Sequence, residues 1–196
     1  MKNKILQTAF DLYRRFGIKS ISMDTVAQEL AASKKTIYQW FENKDKLVEA
    51  ALNEFLQQVR TSSENSPENS VEALVKTLRL HNEKVVGINV AFFYDLKKYH
   101  FQAHQKLDRY LAEELRPYFI KNLQNGIEKG LYRNDIDPEI VANLCIASFS
   151  VVVDQDVFPV SQFNQQEVRM QVFKLFLRGI VTSEGKRFLQ SASEEN

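Results

Sequence analysis

The chain is poor in the residues that cross-link, bend or interrupt a polypeptide. It has one cysteine, Cys145, in 196 residues. That excludes an internal disulfide and any cage of several thiolates, and it fits a reducing compartment. Six glycines and four prolines are too few for the many tight turns of a sheet protein, which leaves long helices. Apolar runs are short as well. Ile5 to Phe16 is broken by Gln7, Asp11, Arg14 and Arg15, so neither a signal peptide nor a membrane span is predicted. The chain has no Gly-rich phosphate loop, nucleophile elbow or HExxH pair, which argues against an enzyme and predicts no cofactor. His100 and His104 stand one helical turn apart, but no Glu or Cys joins them at zinc-site spacing, and no metal is expected. These absences predict a soluble, cytoplasmic, all-α protein without membrane contact.

The chain is 44% hydrophobic and 26% charged, enough apolar content for a real core. The net charge of +1 conceals an uneven distribution. Residues 1–50 hold nine Lys and Arg against six acids, leaving +3, while the remainder leaves −2. A modest basic excess at the N-terminus is what a polyanion-binding head requires.

Four helices are predicted in the first sixty residues. Ile5, Ala9, Leu12 and Phe16 repeat at helical spacing, and Gly17 stops them. Ser22 caps a short second helix, with Asp24 in its first turn and Val26 and Leu30 facing inward. Ala31-Ala32-Ser33 interrupts the pattern, and Ser33 caps a third helix over residues 34–41. Asn43 caps a fourth, with Leu47, Ala51 and Phe55 inside. Two short helices joined by a tight turn and braced on both sides form a helix-turn-helix head.

At 100° per residue, Ile37 and Phe41 share the inner face of the third helix. Lys35 and Gln39 fall opposite, with Thr36 and Tyr38 on the flanks. The exposed face carries donors, one amphipathic ring and no acid. Lys can read guanine edges, Gln can read adenine, and hydroxyls can bind phosphate oxygens. Each group alone also has a plainer reading: Lys34-Lys35 as a solvated face, Tyr38 and Trp40 as half-buried aromatics. The joint placement of cap, turn, donor face and following helix favours DNA.

The stretch TVAQELAASKKTIYQWFENKDKL (residues 25–47) resembles the tetracycline-repressor (TetR) family of transcriptional regulators, through Ser33, Lys34, Thr36, Ile37, Tyr38, Phe41, Lys44 and Leu47. AFDLYRRFGIKSISMDTVA (residues 9–27) resembles that family's first helix and the approach to its second. The resemblance implies phosphate contacts from Ser22, Ser33, Thr36, Tyr38 and Lys44. It implies base-edge contacts from Lys34, Lys35 and Gln39, with Trp40 a further candidate. Two positions depart from the family pattern. Ala31 stands where the turn usually has Gly, and Lys35 where Gly or Pro is frequent.

Residues 61–70, TSSENSPENS, read as a connection between a head (1–60) and a helical body (61–196) for ligand binding and dimerisation. Within the body, amphipathic helices are expected over 71–86 and from about Phe101 to Gly130, with an aromatic cluster at Phe92, Phe93 and Tyr94. Two late helices, 139–154 and 167–182, carry wide apolar stripes: Val141, Cys145, Ser148 and Val152, then Val168, Val172, Leu175 and Phe176. Such stripes fit a four-helix dimer interface or internal packing. The resemblance, which includes a Phe-Leu-Arg-Gly-Ile run at 176–180, favours the dimer. Phe92, Phe93, Tyr94, Tyr99, His104, Tyr110, Tyr118 and Phe149 are candidate walls of an effector pocket, or simply core. The expected function is a ligand-responsive regulator, a repressor that binds a palindromic operator as a homodimer and is released by a small-molecule effector. The alternative is a helical protein-interaction module without specific DNA binding.

Overall fold

The computed structural model describes residues 1–61 and 69–194. Its helices are α1 (Lys2–Phe16), α2 (Met23–Glu29), α3 (Lys34–Tyr38), α4 (Lys44–Thr61), α5 (Ser70–Val85), α6 (Val90–Tyr99), α7 (Phe101–Tyr110), α8 (Arg116–Glu128), α9 (Pro138–Val151), α10 (Gln165–Ile180) and α11 (Ser183–Glu194). Extended pairing among the described residues is limited to one isolated bridge between Tyr132 and Val181, and the fold is all-α. The connection expected at 61–70 falls almost wholly outside the described residues.

The helices form two compact units. One comprises residues 1–61 and 87–110, the other residues 62–86 and 111–196. The first unit therefore holds more than the head. Residues 87–110, read from sequence as part of the body, pack with residues 1–61.

In the first unit, Ile5, Ala9, Leu12 and Tyr13 of α1 are buried together with Leu47, Val48, Ala51 and Leu52 of α4. Phe10 stacks on Phe55 at 4.7 Å and meets Phe92 of α6 edge-on at 5.8 Å. Phe16 departs from the predicted inward repeat. It is half-exposed, beneath the Arg15 guanidinium at 5.2 Å, because the helix ends there and Tyr13 fills the inward position. Gly17 ends α1 at φ 79°, a left-handed conformation natural to glycine.

The second unit is built around α5 and α8, which bury Leu74, Leu78, Phe119 and Leu123. The stretch expected as a single long helix from Phe101 is interrupted at Leu111–Leu115 by a π-helical segment. Pro117 follows immediately. Proline lacks an N–H, and its ring collides with the carbonyl four residues back, so a widened turn at that place relieves both problems. Asp137 caps α9 and Asn164 caps α10, each through its side chain.

A polar knot lies inside this unit. The Tyr132 hydroxyl is 2.9 Å from both the Ser70 carbonyl and Asn122 Oδ1, and Asn122 Nδ2 donates to the same carbonyl at 2.9 Å. Burial pushes the Tyr132 pKa far upward, so the hydroxyl stays a donor. Its ring lies directly over Gly126, where a Cβ would overlap it. Gly126→Ala therefore lowers stability by about 1–2 kcal/mol despite alanine's better helix propensity, measured as a reduced urea midpoint. An unchanged midpoint would mean that the tethered ring can move.

Candidate DNA-binding interface

The turn between α2 and α3 is built from caps. Ser22 Oγ accepts from the Thr25 amide at 3.0 Å, and Thr25 Oγ1 accepts from the Ser22 amide at 3.3 Å, a reciprocal capping box. At the far end, the Ala31 amide donates to Gln28 O at 3.0 Å and the Ala32 amide to Ala27 O at 2.9 Å. Two such bonds, with a left-handed residue between them, form a Schellman stop. That residue is Ala31, with φ 49°, the one non-glycine residue of positive φ among the described residues.

Ser33 Oγ then accepts from the Thr36 amide at 3.1 Å and opens α3. The helix ends at Tyr38 rather than Phe41. The chain nevertheless keeps turning, because Trp40 and Phe41 both donate to Ile37 O at 3.0 Å. Ile37 and Phe41 are buried as the periodicity predicts, and Lys34, Lys35, Tyr38, Gln39 and Trp40 are exposed. Ser33 Oγ and Thr36 Oγ1 lie 2.8 Å apart. Two hydroxyls sharing one hydrogen leave the other free to donate outward. Ser22 and Thr25, 2.9 Å apart, repeat the arrangement.

The two cations of α3 differ. Lys34 Nζ lies 2.7 Å from Asp24 of α2, whose hydrogen bond and charge raise the lysine's pKa. Lys35 has no acidic partner in the described residues. Lys44, capped into α4 by Asn43, is half-buried, with Nζ 3.4 Å from Lys19 O, and burial lowers its pKa.

Sequence reasoning missed the brace behind this face. Asn89 donates through its amide to Arg14 O at 2.6 Å and through its side chain to Arg15 O at 3.2 Å. Asp95 accepts from the Lys19 amide at 2.7 Å. His100 Nδ1 lies 2.7 Å from Asp45, and Lys106 lies 2.9 Å from Glu49. A buried Asp in an aromatic helix was the available signal, since such an acid needs donors.

The model of the bacterial regulatory proteins of the tetR family matches residues 5–51, the whole of this capped head. The chain belongs to the tetR family. This TetR-family chain is 28% identical to the uncharacterized HTH-type transcriptional regulator YvaF of Bacillus subtilis, over 94% of its own length and 97% of the relative's. It is 22% identical to the HTH-type transcriptional repressor KstR2 of Mycolicibacterium smegmatis, covering 95% and 93%. A putative transcriptional regulator from Saccharomonospora viridis, solved in complex with choline, shares the fold at TM-score 0.76 and 18% identity, covering 92% and 97%. This TetR-family chain is a helix-turn-helix transcriptional regulator.

The eight aromatic and histidine residues considered as pocket walls do not come together. Six lie in the first unit. Phe92 is buried against Phe10 and Phe93, and Tyr110 lies beside Arg60. His104 pairs with Asp108 at 2.8 Å. Tyr94, 57% exposed, and Tyr99 are surface rings beside Lys98. Tyr118 and Phe149 belong to the second unit, in a cluster with His81, Phe119 and Phe173.

The dimer stripes are rotated from their predicted setting. Cys145, Val152 and Val168 are buried within the chain itself, and burial pushes the Cys145 thiol up to about 12. Val141, Ser148, Val172 and Phe176 are half-buried, while Leu175 is 71% exposed. The outward apolar residues of α9 are Ile140, Leu144 and Val151. A helix apolar on most of its surface gives periodicity no edge from which to set its rotation.

Ala31→Gly removes a left-handed strain of about 1–2 kcal/mol, less the entropic cost of glycine. The expected net gain is roughly 0.5–1 kcal/mol, a Tm rise of about 2 °C. A lower Tm in a thermal melt would show that Ala31 makes contacts outweighing its strain.

Proposed function

We propose that this regulator binds a palindromic operator as a homodimer and represses transcription until a small-molecule effector releases it. The observation that carries the reading is the outer face of α3, where Lys35, Tyr38, Gln39 and Trp40 stand free over a buried Ile37. Lys34, Lys35 and Gln39 take the base edges. Ser22, Ser33, Thr36, Tyr38 and Lys44 take phosphate oxygens, and Trp40 borders the same surface. One short recognition helix offers few base contacts, so two heads are needed for selectivity.

The second chain is held by the outward side of α9 and α10: Ile140, Leu144, Val151 and Leu175. KstR2, a relative along nearly the whole chain, is named a repressor, and the related fold in complex with choline supports a small-molecule effector. An effector that prefers the state unable to seat both heads shifts the equilibrium by its differential affinity, with coupling typically about 1–3 kcal/mol. The reading makes the protein a binding module and not an enzyme, acting in the cytoplasm where the DNA is.

The test is fluorescence anisotropy with the gene's own upstream DNA at two salt concentrations, against scrambled competitor. Tight binding at two chains per site, weakening steeply with salt, is expected. Lys35→Ala costs about 1–3 kcal/mol of operator affinity, and Tyr38→Phe weakens binding less, both with unchanged circular dichroism. Absence of binding at low salt, to this DNA and to a random-sequence pool, would make the chain a protein-interaction module. Leu144→Glu places a charge in the apolar stripe and is expected to give monomers in sedimentation velocity. A dimer that persists would place the interface elsewhere.

A further inference from the structure

Arg169 of α10 is 6% exposed, yet nothing nearby answers its charge. Its Nε donates to Asn82 Oδ1 of α5 at 3.1 Å, and no carboxylate among the described residues pairs with it. The acids on these two helices, Glu72, Glu83 and Glu167, leave it unpaired. Burial pulls its pKa down with no neighbouring charge to offset the shift, but guanidinium is so strong a base that it remains a cation. A buried cation without a counter-ion is costly, and a protein keeps one where an anion arrives to meet it.

The surroundings give that anion its character. The sealed side-chain atoms without a partner are Tyr13 Oη and Gln165 Oε1. The Arg169 Nη groups are not among them, so they border space that solvent reaches. One turn along the same face of α10 lies Phe173, edge-on to Phe149 at 5.9 Å. Phe149 in turn stacks on His81 at 6.1 Å and meets Phe119 at 6.4 Å. One turn the other way lies Gln165, whose Nε2 donates to Phe158 O at 2.8 Å and whose Oε1 has no donor. A lone cation thus sits between an aromatic cluster and an unmet acceptor, all within the second unit.

We propose that Arg169 is the anion-binding residue of a ligand site in the second unit, and that its ligand is an apolar carboxylate. The carboxylate lies on the Nη fork, the geometry guanidinium matches best, while Asn82 holds Nε and fixes the fork's direction. The apolar part lies toward Phe149 and Phe173. The proposal rests on the ligand-responsive reading only for what binding does to DNA, and the two are measured apart.

The probes are 2-naphthoate against 2-naphthamide, and octanoate against octanamide, titrated calorimetrically into the full chain. In at least one pair the acid is expected to bind about tenfold or more tighter than its amide, the usual scale for a charge-assisted bond. Arg169→Met should bring that ratio close to one. Asn82→Asp, an isosteric change that supplies an internal counter-ion, should weaken the acid selectively, and it decides the matter if Arg169→Met does not fold. Equal affinity for acid and amide, no binding of either acid, or a ratio untouched by both variants overturns the site. If the acid binds without altering operator affinity in the anisotropy assay, the Arg169 site stands and the effector role falls. If only the amides release DNA, the effector role stands and the carboxylate falls.

Discussion

Asp95 is 5% exposed, and a carboxylate taken out of water must be met by donors. It is met by the backbone of the α1–α2 connection, at the Lys19 amide. The approach is close because Gly17 presents no side chain there. A Cβ on Gly17 would come within 3.1 Å of Ala91 and 3.2 Å of the Asp95 carboxylate. With Asn89 on the end of α1 and His100 on the start of α4, the bond makes residues 87–110 part of the same unit as the capped head. The chain enters and leaves this segment at its two ends, through Val86 and Tyr110. Any change in the course of α6 is therefore delivered to three points of the head at once: the end of α1, the lead into α2 and the first turn of α4.

The head is held by short-range chemistry of a different kind. Its helices are too short to persist by propensity, and each is closed by side-chain or backbone caps at its ends. The capping hydroxyls and the outward donors alternate along one surface, so stabilising α3 and presenting it are tasks shared by adjacent residues. Asp24 adds a restraint, because it holds Lys34 in the free protein and a phosphate has to compete for that amine. Lys35 carries no such restraint.

How much of this was legible in the sequence depended on range. The head could be read because Ser22, Ser33 and Asn43 act on amides two or three residues away, and Ile37 and Phe41 recur at a single period. Helix α9 could be recognised as a helix but not oriented. Its buried Ala142, Cys145 and Val152 and its exposed Ile140, Leu144 and Val151 are equally apolar, and only the neighbouring helices choose between them. Asp95 and Arg169 were out of reach, since their partners lie 76 and 87 residues away. The aromatic residues misled for a related reason. Phe92 and Phe149 look alike in sequence, yet they belong to different cores.

The π-helical segment ahead of Pro117 sets the phase of everything after it. Buried positions step by seven from Ala103 to Tyr110, then by five to Leu115, then by four to Phe119 and again to Leu123. The five-residue step is the mark of one extra residue in the winding. Because each residue of an α-helix turns the chain by about 100°, that residue decides which side of α8 meets α5 and α9. The helix behaves as a keyed shaft: substitutions along it disturb packing locally, whereas losing or gaining one residue between Leu111 and Leu115 would turn a whole face, Phe119, Asn122 and Gly126 included, away from its seat.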